Sequence, residues 1–509
     1  MFVEAGTRTD FLPPVEPREV QSECGLYGAY FLSGHSIDVP EHAYKALLAL
    51  QHRAEDAAGM VISDGETFQS IRKKGTVNVV FEQGQRLPHL RSAKIVIAHT
   101  RYPTSGTSDS IHNIQPLNVG DRLWGGHHGN LTNGAEIRDN LGLVFTPDAP
   151  NSDSFAAMNL IDQAEGESLD AKVKYARKFF EGGFAMIFTD GKQLVGTRDG
   201  YGIRPLSAAY IKTEGNVIGY ALSVESSAFK SLHVPEEDIW ELLPGETVVI
   251  DDAGIRTIDY SPQGENQCKF EFIYMMRPDS IFMGKTVYEV RRRAGGLLWH
   301  EQPVIPEDEE ILTFMGVPNS GRPAGEAYYE EAKEELGNQA RWEELIFSES
   351  NERGFIKSTE HREKYEKFYV IPERVKGKSL VVVDDSIVRG DTAEKLIRLL
   401  LDAGAKKVHL RSASPPIRFP CLLGIAMADV ENFAALKFPD LSERAAYLGV
   451  ASLGYLSIKG LVEATGNPYE RFCTICLDGH GPPIKEAKPI KLDESTLSRG
   501  ELIYSSPDS

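Results

Sequence analysis

The 509-residue sequence has little cysteine and no long apolar run. Its five cysteines are too few for a disulfide framework in a chain of this size. No stretch approaches the roughly 20 apolar residues that a membrane-spanning helix needs. Lysine and arginine form no basic block and the formal net charge is −19, so a nucleic-acid partner is not expected. The acidity favours a soluble globular protein.

The first 23 residues lack the features of a secretory signal. They contain Glu4 and the pair Pro13-Pro14, and no apolar segment separates these residues from Cys24. A secretory signal needs such a segment after a basic start. We therefore expect the protein to be cytoplasmic.

The residue pattern divides the chain into two parts. Between residues 24 and 262, short β-rich runs alternate with two helix-like segments, HAYKALLALQHRAEDAAG and SDSFAAMNLIDQAEG, which predicts a layered α+β domain. The turn-forming stretch SPQGENQ (261–267) predicts a linker. In the second part, KSLVVVDDS, TAEKLIRLLLDAGA and KKVHLRSAS predict a strand, a helix and a strand of a parallel α/β sheet. Residues 481–509 are polar, which predicts a tail.

Cys24 begins the apolar, aromatic part of QSECGLYGAYF (21–31), a run that predicts a strand. The thiolate is the nucleophilic form of cysteine, and a free thiol with a pKa of about 8.5 needs a base nearby. If the peptide bond before Cys24 is cut, the new α-amino group, with a pKa of about 8, can be that base. On this motif alone, a buried structural cysteine is the alternative.

Further motifs follow Cys24 in a fixed order: QHRAEDAAGM (51–60), HTRYPTSG (99–106), GGHHGNLTN (125–133) and NSDS (151–154). With CGLYGAY, this set resembles the glutaminase domain of the N-terminal-nucleophile amidotransferases. The resemblance implies that residues 1–23 are a propeptide and that Cys24 attacks the side-chain amide of glutamine. It also implies an αββα sandwich for residues 24–262.

The same resemblance implies the roles of five further residues. Arg101 matches the clamp for the α-carboxylate of glutamine, for which a bidentate guanidinium is suited. Asp153 matches the carboxylate that receives the α-ammonium group, and Arg53 matches a residue that supports the site. The backbone N–H of Gly129 faces the oxyanion. His128 replaces an asparagine that donates to the oxyanion, and losing such a donor costs about a hundred- to a thousandfold in rate unless histidine substitutes for it.

The segment VVVDDSIVRGDTAEK (381–395) predicts a phosphate-binding turn. A buried strand ends in Asp384 and Asp385, which can accept hydrogen bonds from ribose hydroxyls, and the following loop aims backbone N–H groups and a helix dipole at a phosphate. It resembles the phosphoribosyl diphosphate loop of type I phosphoribosyltransferases. The resemblance implies Mg²⁺ near Asp384 and Asp385, and a set of residues that bind phosphoribosyl diphosphate: Asp384, Asp385, Ser386, Arg389, Gly390, Thr392 and Arg353.

Three residues of the second part depart from the family pattern. Asp391 replaces a threonine, and Asn319 and Ala426 each replace an aspartate. Two interpretations of Asp391 are open. Its carboxylate either faces the phosphate and weakens binding, or caps the helix together with Glu394 and points away.

The remaining cysteines are Cys268, Cys421, Cys473 and Cys476, and the last two form a Cys-x-x-Cys motif. Four thiolates suit either a 4Fe–4S cluster or a tetrahedral zinc ion, and spacing alone does not decide between them. Their contexts, NQCKFEF, RFPCLLGIA and RFCTICLDG, resemble the iron–sulfur branch of one amidotransferase family. This implies a structural 4Fe–4S cluster held by all four cysteines.

Together, the motifs resemble the glutamine phosphoribosylpyrophosphate amidotransferases from about residue 22 to residue 480. This implies a glutaminase domain at 24–262 and a phosphoribosyltransferase domain at 263–480 that make phosphoribosylamine for purine synthesis. It also implies purine nucleotides as feedback inhibitors and a tetramer. Because of the departures, two alternatives are open: a paralogue that acts on another phosphoribosyl-type acceptor, and a catalytically silent regulatory or redox-sensing relative.

Overall fold

The computed structural model describes residues 24–34, 37–90, 92–101, 110–144, 150–348, 368–421, 423–425 and 430–482. The predicted propeptide, Arg353, Ala426 and nearly all of the predicted tail lie outside these residues. Within them, no helix combines the length and the apolar character needed to cross a membrane.

The N-terminal part contains two antiparallel sheets. Its strands are β1 (Gly25–Phe31), β2 (Ala57–Ser63), β3 (Phe68–Lys74), β4 (Ile95–Arg101), β5 (Leu117–Val119), β6 (Leu123–Leu131), β7 (Gly182–Thr189), β8 (Leu194–Arg198), β9 (Ser207–Thr213), β10 (Asn216–Ser223), β11 (Ile239–Glu241), β12 (Glu246–Asp251) and β13 (Gly254–Tyr260). Among the described residues, one sheet has the order β11-β9-β10-β1-β4-β2-β3 and the other the order β13-β12-β8-β7-β6-β5.

Helices cover the outer face of each sheet. They are α1 (Val39–Ala49), α2 (Val77–Val80), α3 (Gly134–Asn140), α4 (Asp153–Gln163), α5 (Leu169–Ala176) and α6 (Ser227–Ser231). Alternate residues of β1 show why there are two layers of core: Tyr27 and Phe31 pack toward α1, whereas Leu26 and Tyr30 pack between the sheets. A separate core lies between α4 and β7. The predicted αββα sandwich is confirmed.

The predicted helix HAYKALLALQHRAEDAAG is too long. Helix α1 ends at Ala49, a single turn of 3₁₀ helix follows, and β2 begins at Ala57. The small residues 57–59 are needed in the sheet, because a Cβ on Gly59 would lie 2.2 Å from the carbonyl oxygen of Gln115. Close packing between segments therefore overrides the local helix propensity.

The C-terminal part contains further strands: β14 (Gln267–Cys268), β15 (Ile281–Phe282), β16 (Lys285–Thr286), β17 (Leu312–Gly316), β18 (Ala340–Trp342), β19 (Ile346–Ser348), β20 (Phe368–Val370), β21 (Ser379–Asp384), β22 (Lys407–Ser412), β23 (Ser452–Tyr455) and β24 (Phe472–Cys473). Its helices are α7 (Val287–Glu301), α8 (Arg322–Leu336), α9 (Pro372–Val375), α10 (Asp391–Asp402), α11 (Ala434–Lys437), α12 (Leu441–Leu448), α13 (Ile458–Thr465) and α14 (Ile475–Asp478).

A parallel sheet of order β18-β17-β21-β22-β23 forms the centre of the described C-terminal part. Val381 and Val383 of β21 belong to the core shared with α7 and α8, whereas Leu380 and Val382 belong to the core under α10. Burial on both faces explains the continuous apolar run of this strand. The predicted strand–helix–strand unit β21-α10-β22 is confirmed. The domain boundary at residue 262 stays a prediction.

We predict that Ile187→Ala lowers the free energy of unfolding by about 2–5 kcal/mol, the usual cost of truncating a buried isoleucine. Ile187 is fully buried between the two sheets. Chemical denaturation measures the effect. Ile305→Ala, at a side chain that is 64% exposed, is the matched control and should change stability by less than about 0.5 kcal/mol. Equal effects of the two substitutions would contradict the assigned packing.

Candidate active sites and the cysteine centre

Cys24 lies directly before β1, and the sheet register brings it close to Arg101. Gly25 pairs with Thr100, the last residue before Arg101, and its N–H donates to Thr100 Oγ1 at 2.9 Å. Cys24 is 6% exposed and packs against Ala54 of the QHRAEDAAGM motif. Antiparallel pairing therefore places the start of β1 and the end of β4 at one edge of the sandwich.

His127 and Asp153 are also adjacent. His127 Nδ1 lies 2.9 Å from Ser154 Oγ and 3.7 Å from Asp153 Oδ2. The Asp153 carboxylate accepts the backbone N–H of Leu131 at 2.9 Å and that of Ser154 at 2.8 Å. Burial lowers the pKa of His127, while the Asp153 charge opposes this shift. Asp153 is thereby fixed against β6 at the start of α4.

Gly129 occupies a position that no other residue fits. Its φ is 122°, and a Cβ there would lie 2.1 Å from the carbonyl oxygen of Gly183. Positive φ values of this kind favour glycine. The close approach of β6 to β7 therefore depends on this residue, whose predicted oxyanion role stays a prediction.

Arg53 supports His128 from inside the protein. Its side chain is 1% exposed. Its Nη1 donates to Glu225 Oε2 at 2.6 Å and its Nη2 to Glu271 Oε2 at 3.1 Å, while Nη2 also lies 3.5 Å from His128 Nε2. A guanidinium only donates, so His128 Nε2 accepts and the ring proton is on Nδ1. Burial, followed by the charges of Arg53 and Arg204, holds the pKa of His128 well below its ordinary value.

The sequence analysis missed Glu225, Glu271 and Arg204. Arg204 Nη1 donates to Glu271 Oε1 at 3.2 Å, and these three side chains have no exposed surface. Burial opposes ionisation of Glu225, but contacts with His52, Arg53 and Ser280 outweigh it and hold its pKa well below its ordinary value. The sequence did contain one signal for this group: the carboxylate of Glu271 lies inside the apolar run CKFEFIYMM. A buried charge needs a partner, so this residue predicts a buried ion pair.

The acidic pair at the end of β21 lies at the carboxyl edge of the parallel sheet. Asp385 accepts hydrogen bonds from Ser320 Oγ at 2.6 Å and Ser386 Oγ at 2.9 Å. Burial and the neighbouring Asp385 charge raise the pKa of Asp384 well above its ordinary value. The sequence analysis missed Ser320, which the turn at Asn319 (φ 73°) brings to this edge.

The loop after β21 leads directly into α10. Gly390 has a φ of 93° and is the N-cap residue, so Asp391 is the first residue of the helix and makes no capping bond. The interpretation of Asp391 as a capping residue is therefore wrong. Burial, followed by the Asp391 and Glu394 carboxylates, raises the pKa of Tyr447, so both carboxylates lie near this hydroxyl. Ser386 and Arg389 are half-buried, and Thr392 is exposed.

The four remaining cysteines converge where the two parts of the chain meet. Cys268 of β14 pairs with Cys473 of β24 in a short parallel ladder. Burial raises the pKa of Cys268 well above its ordinary value and that of Cys473 to about 12, and in both cases the Cys421 thiol adds to the shift. Burial also raises the pKa of Cys476, with further contributions from Cys421 and Cys473. All four thiols are therefore neighbours.

The four cysteines form a donor set that could hold either a single metal ion or a 4Fe–4S cluster. In the part of the chain that the structure describes, no three His, Cys, Asp or Glu side chains are close enough together for a single metal ion. A 4Fe–4S cluster binds one thiolate at each of four irons, so its cysteines lie further apart than the ligands of one zinc ion. The four cysteines belong to or pack against one hydrophobic core, where Cys268 and Cys473 are buried and Cys421 and Cys476 are half-buried, and this donor set suits the chemistry of a cluster.

An αββα sandwich with Cys24 at its first strand, joined to a parallel sheet with an acidic strand end, defines the class of two-domain glutamine amidotransferases. No protein-family model matches the chain. An amidophosphoribosyltransferase of Synechococcus elongatus is 34% identical over 496 residues, covering 95% of this chain and 96% of the relative. The human amidophosphoribosyltransferase is 33% identical over 531 residues, covering 92% of this chain and 99% of the relative.

Two solved structures also match the chain over more than nine-tenths of its length. Glutamine phosphoribosylpyrophosphate amidotransferase from B. subtilis, complexed with ADP and GMP, has a TM-score of 0.76 at 28% identity, covering 92% of this chain and 98% of that chain. A structure described as the allosteric regulatory enzyme of purine biosynthesis has a TM-score of 0.77 at 27% identity, covering 91% and 97%. The chain belongs to the amidophosphoribosyltransferase family.

We predict that Glu225→Gln lowers the free energy of unfolding at neutral pH by about 3–5 kcal/mol, because it leaves buried positive charge without its partner. The folded pKa of Glu225 is lowered, so its carboxylate stabilises the fold above the unfolded pKa of about 4.3. This contribution is lost as the pH falls toward the folded pKa.

Denaturation at several pH values tests this prediction. The difference between wild type and Glu225→Gln should shrink below about pH 4.3. Glu82→Gln is the control, because the side chain of Glu82 is 56% exposed in its ion pair with Arg86. It should cost less than about 1 kcal/mol. A pH-independent difference for Glu225→Gln would contradict the assigned ion pair.

Proposed function

We propose that this chain converts phosphoribosyl diphosphate, glutamine and water to phosphoribosylamine, glutamate and diphosphate, the first committed step of purine synthesis. The observation that carries the proposal is Cys24 at the start of β1, beside the Arg101 end of β4, in a chain aligned with amidophosphoribosyltransferases over more than nine-tenths of its length. The family assignment does not favour the two alternatives, a paralogue with another acceptor and a silent relative.

In the first half-reaction, the Cys24 thiolate attacks the side-chain amide carbon of glutamine. The α-amino group that removal of residues 1–23 would create takes the thiol proton and passes it to the leaving ammonia. Water then hydrolyses the thioester to glutamate. Arg101 and Asp153 would hold the α-carboxylate and the α-ammonium group, and their burial beside β4 and β6 supports these roles.

Gly129 and His128 would stabilise the oxyanion of this half-reaction. His128 is kept neutral by burial and by the neighbouring arginine charges, which lower its pKa. Its Nε2 accepts from Arg53, so Nδ1–H is the group with which it could donate to an oxyanion. Arg53 is therefore a support for His128, and its side chain, which is 1% exposed, offers too little surface to bind glutamine.

In the second half-reaction, ammonia displaces diphosphate at C1 of phosphoribosyl diphosphate. The carboxylates of Asp384 and Asp385 would accept hydrogen bonds from the ribose hydroxyls. The loop from Ser386 to Thr392, with Arg389 and Gly390, would bind the 5′-phosphate at the start of α10. The contact of Asp391 with Tyr447 supports a carboxylate that points away from this phosphate. Arg353 belongs to the proposal through its sequence motif alone.

Two cofactors complete the proposal. Mg²⁺ near Asp384 and Asp385 would neutralise charge on the diphosphate. It would also offset the charge of Asp385, which adds to burial in raising the pKa of Asp384. Cys268, Cys421, Cys473 and Cys476 would hold a 4Fe–4S cluster, which links segments that are distant in sequence and takes no part in the reaction. The convergence of four thiols, two of them buried and two half-buried, supports this assignment.

The remaining parts of the proposal rest on the relatives. ADP and GMP are bound in the B. subtilis structure, which supports purine nucleotides as regulators of this chain as well. A tetramer and a cytoplasmic location complete the proposal. The domains would extend over residues 24–262 and 263–480.

We predict that Cys24→Ala reduces glutamate release to the uncatalysed background, because it removes the nucleophile. Formation of phosphoribosylamine from ammonium salts and phosphoribosyl diphosphate should persist, since it needs only the second site. Both activities are measured on anaerobically purified protein, with wild type as the reference. Glutamate release by the variant at the wild-type rate would contradict the assigned nucleophile.

We predict that His128→Asn raises kcat for glutamine cleavage by up to about a hundredfold with little change in KM, because an oxyanion donor acts mainly in the transition state. Steady-state glutaminase assays check this. His300→Asn, at an exposed residue of α7, is the control and should leave kcat unchanged. An unchanged kcat in His128→Asn would contradict the predicted gain and would mean that histidine already donates to the oxyanion as well as asparagine.

A further inference from the structure

A connected set of buried charges lies between the cysteine centre and β6. Arg204 donates to Glu271 at 3.2 Å, Glu271 accepts from Arg53 at 3.1 Å, and Arg53 donates to Glu225 at 2.6 Å. Each of these four side chains is at most 1% exposed. We call Arg204, Glu271, Arg53 and Glu225 the buried charge row.

One end of the buried charge row contacts the segments that carry the cysteines. Glu271 follows Cys268 by three residues in the chain, and the Cys268 N–H donates to the carbonyl oxygen of Ile203 at 3.3 Å, next to Arg204. A Cβ on Gly424 would lie 2.9 Å from Arg204 Nε and Nη2, so the guanidinium packs directly on the loop that follows Cys421. Movement of either cysteine segment must therefore displace Arg204 or Glu271.

The other end contacts the glutaminase site. Arg53 Nη2 lies 3.5 Å from His128 Nε2, and Arg53 and Arg204 both act on the pKa of His128 through their charges. The row holds two positive and two negative side chains, so a shift of Glu271 would leave both arginines without a shared partner. Each arginine would then lose one carboxylate contact, and because reduced pairing of buried charge is unfavourable, both arginines would move with Glu271.

We propose that Glu271 is a positioning residue that couples the state of the cysteine centre to the position of His128 in the glutamine-cleaving site. The inference rests on the proposed function, which assigns a cluster to the four cysteines. When the cysteines are held together, Glu271 keeps Arg53 against His128. When they are released, the segment after Cys268 relaxes and the glutamine site loses this support.

The test uses the reciprocity of coupled binding. If the cysteine centre affects the glutamine site, occupation of the glutamine site is expected to stabilise the iron-loaded centre in turn. Iron-loaded full-length protein is treated with a diazoketone analogue of glutamine that alkylates Cys24, or left untreated. Iron transfer to a chromogenic chelator is then followed under anaerobic conditions. In the wild type, the alkylated protein should lose iron about fivefold or more slowly.

Three variants define the result. The Glu271→Gln variant should bind iron, but its alkylated and free forms should lose iron at the same rate. The Glu271→Asp variant should retain part of the difference in rate. Glu310→Gln is the matched control, because Glu310 forms ion pairs with Lys406 and Lys407 beside the parallel sheet. It should keep the full difference. If Glu271→Gln does not fold, Arg204→Lys, which keeps the charge but not the fork geometry, should reduce the difference instead.

The outcomes separate the inference from the proposed function. Wild-type protein that binds no iron would overturn the cluster assignment, and a thiol that the analogue does not alkylate would overturn the glutaminase assignment. In either case the inference falls as well. Two results would overturn the inference alone. In one, iron-loaded wild type loses iron at the same rate whether or not it is alkylated. In the other, alkylation slows iron loss from Glu271→Gln as much as it does from the wild type.

Discussion

Arg53 and Arg204 are buried arginines of the sandwich whose charge is balanced by Glu225 and Glu271. Removing four charges from water is favourable only if their geometry is satisfied together. Glu225 follows β10 within the sandwich, whereas Glu271 follows β14, so the Glu271 ion pairs form only when the sandwich and the start of the C-terminal part are packed against each other. The arrangement of both parts around the glutaminase site depends on this constraint.

The same packing explains why the cysteines meet. Cys268 lies three residues before Glu271, and its partner Cys473 is brought from the end of the chain by the β14–β24 ladder. The loop after Cys421 joins through the bond from Gly183 N–H to the Leu423 carbonyl oxygen, at 3.1 Å. Three segments distant in sequence thus meet on one surface of the sandwich, where a cluster would link them.

Much of the fold follows from local pattern. The apolar run before Asp384 predicts a strand buried on both faces, and the amphipathic residues after Gly390 predict the helix that packs on it. Local pattern is misleading where tertiary packing dominates. Residues 50–59 favour a helix, yet part of this segment forms β2. Asp391 and Glu394 suggest a capping box, yet Gly390 is the N-cap residue and both carboxylates lie near Tyr447.

The sequence by itself predicted the candidate reactive groups: a cysteine at a strand start, an acidic pair at a strand end and four cysteines proposed to share one centre. These signals are local, because strand periodicity and short motifs extend over a few residues. Only the tertiary structure decided how the groups are supported. Glu225 and Glu271 lie 172 and 218 residues from Arg53 in the chain, and such distant partners meet only through the topology of the sheets.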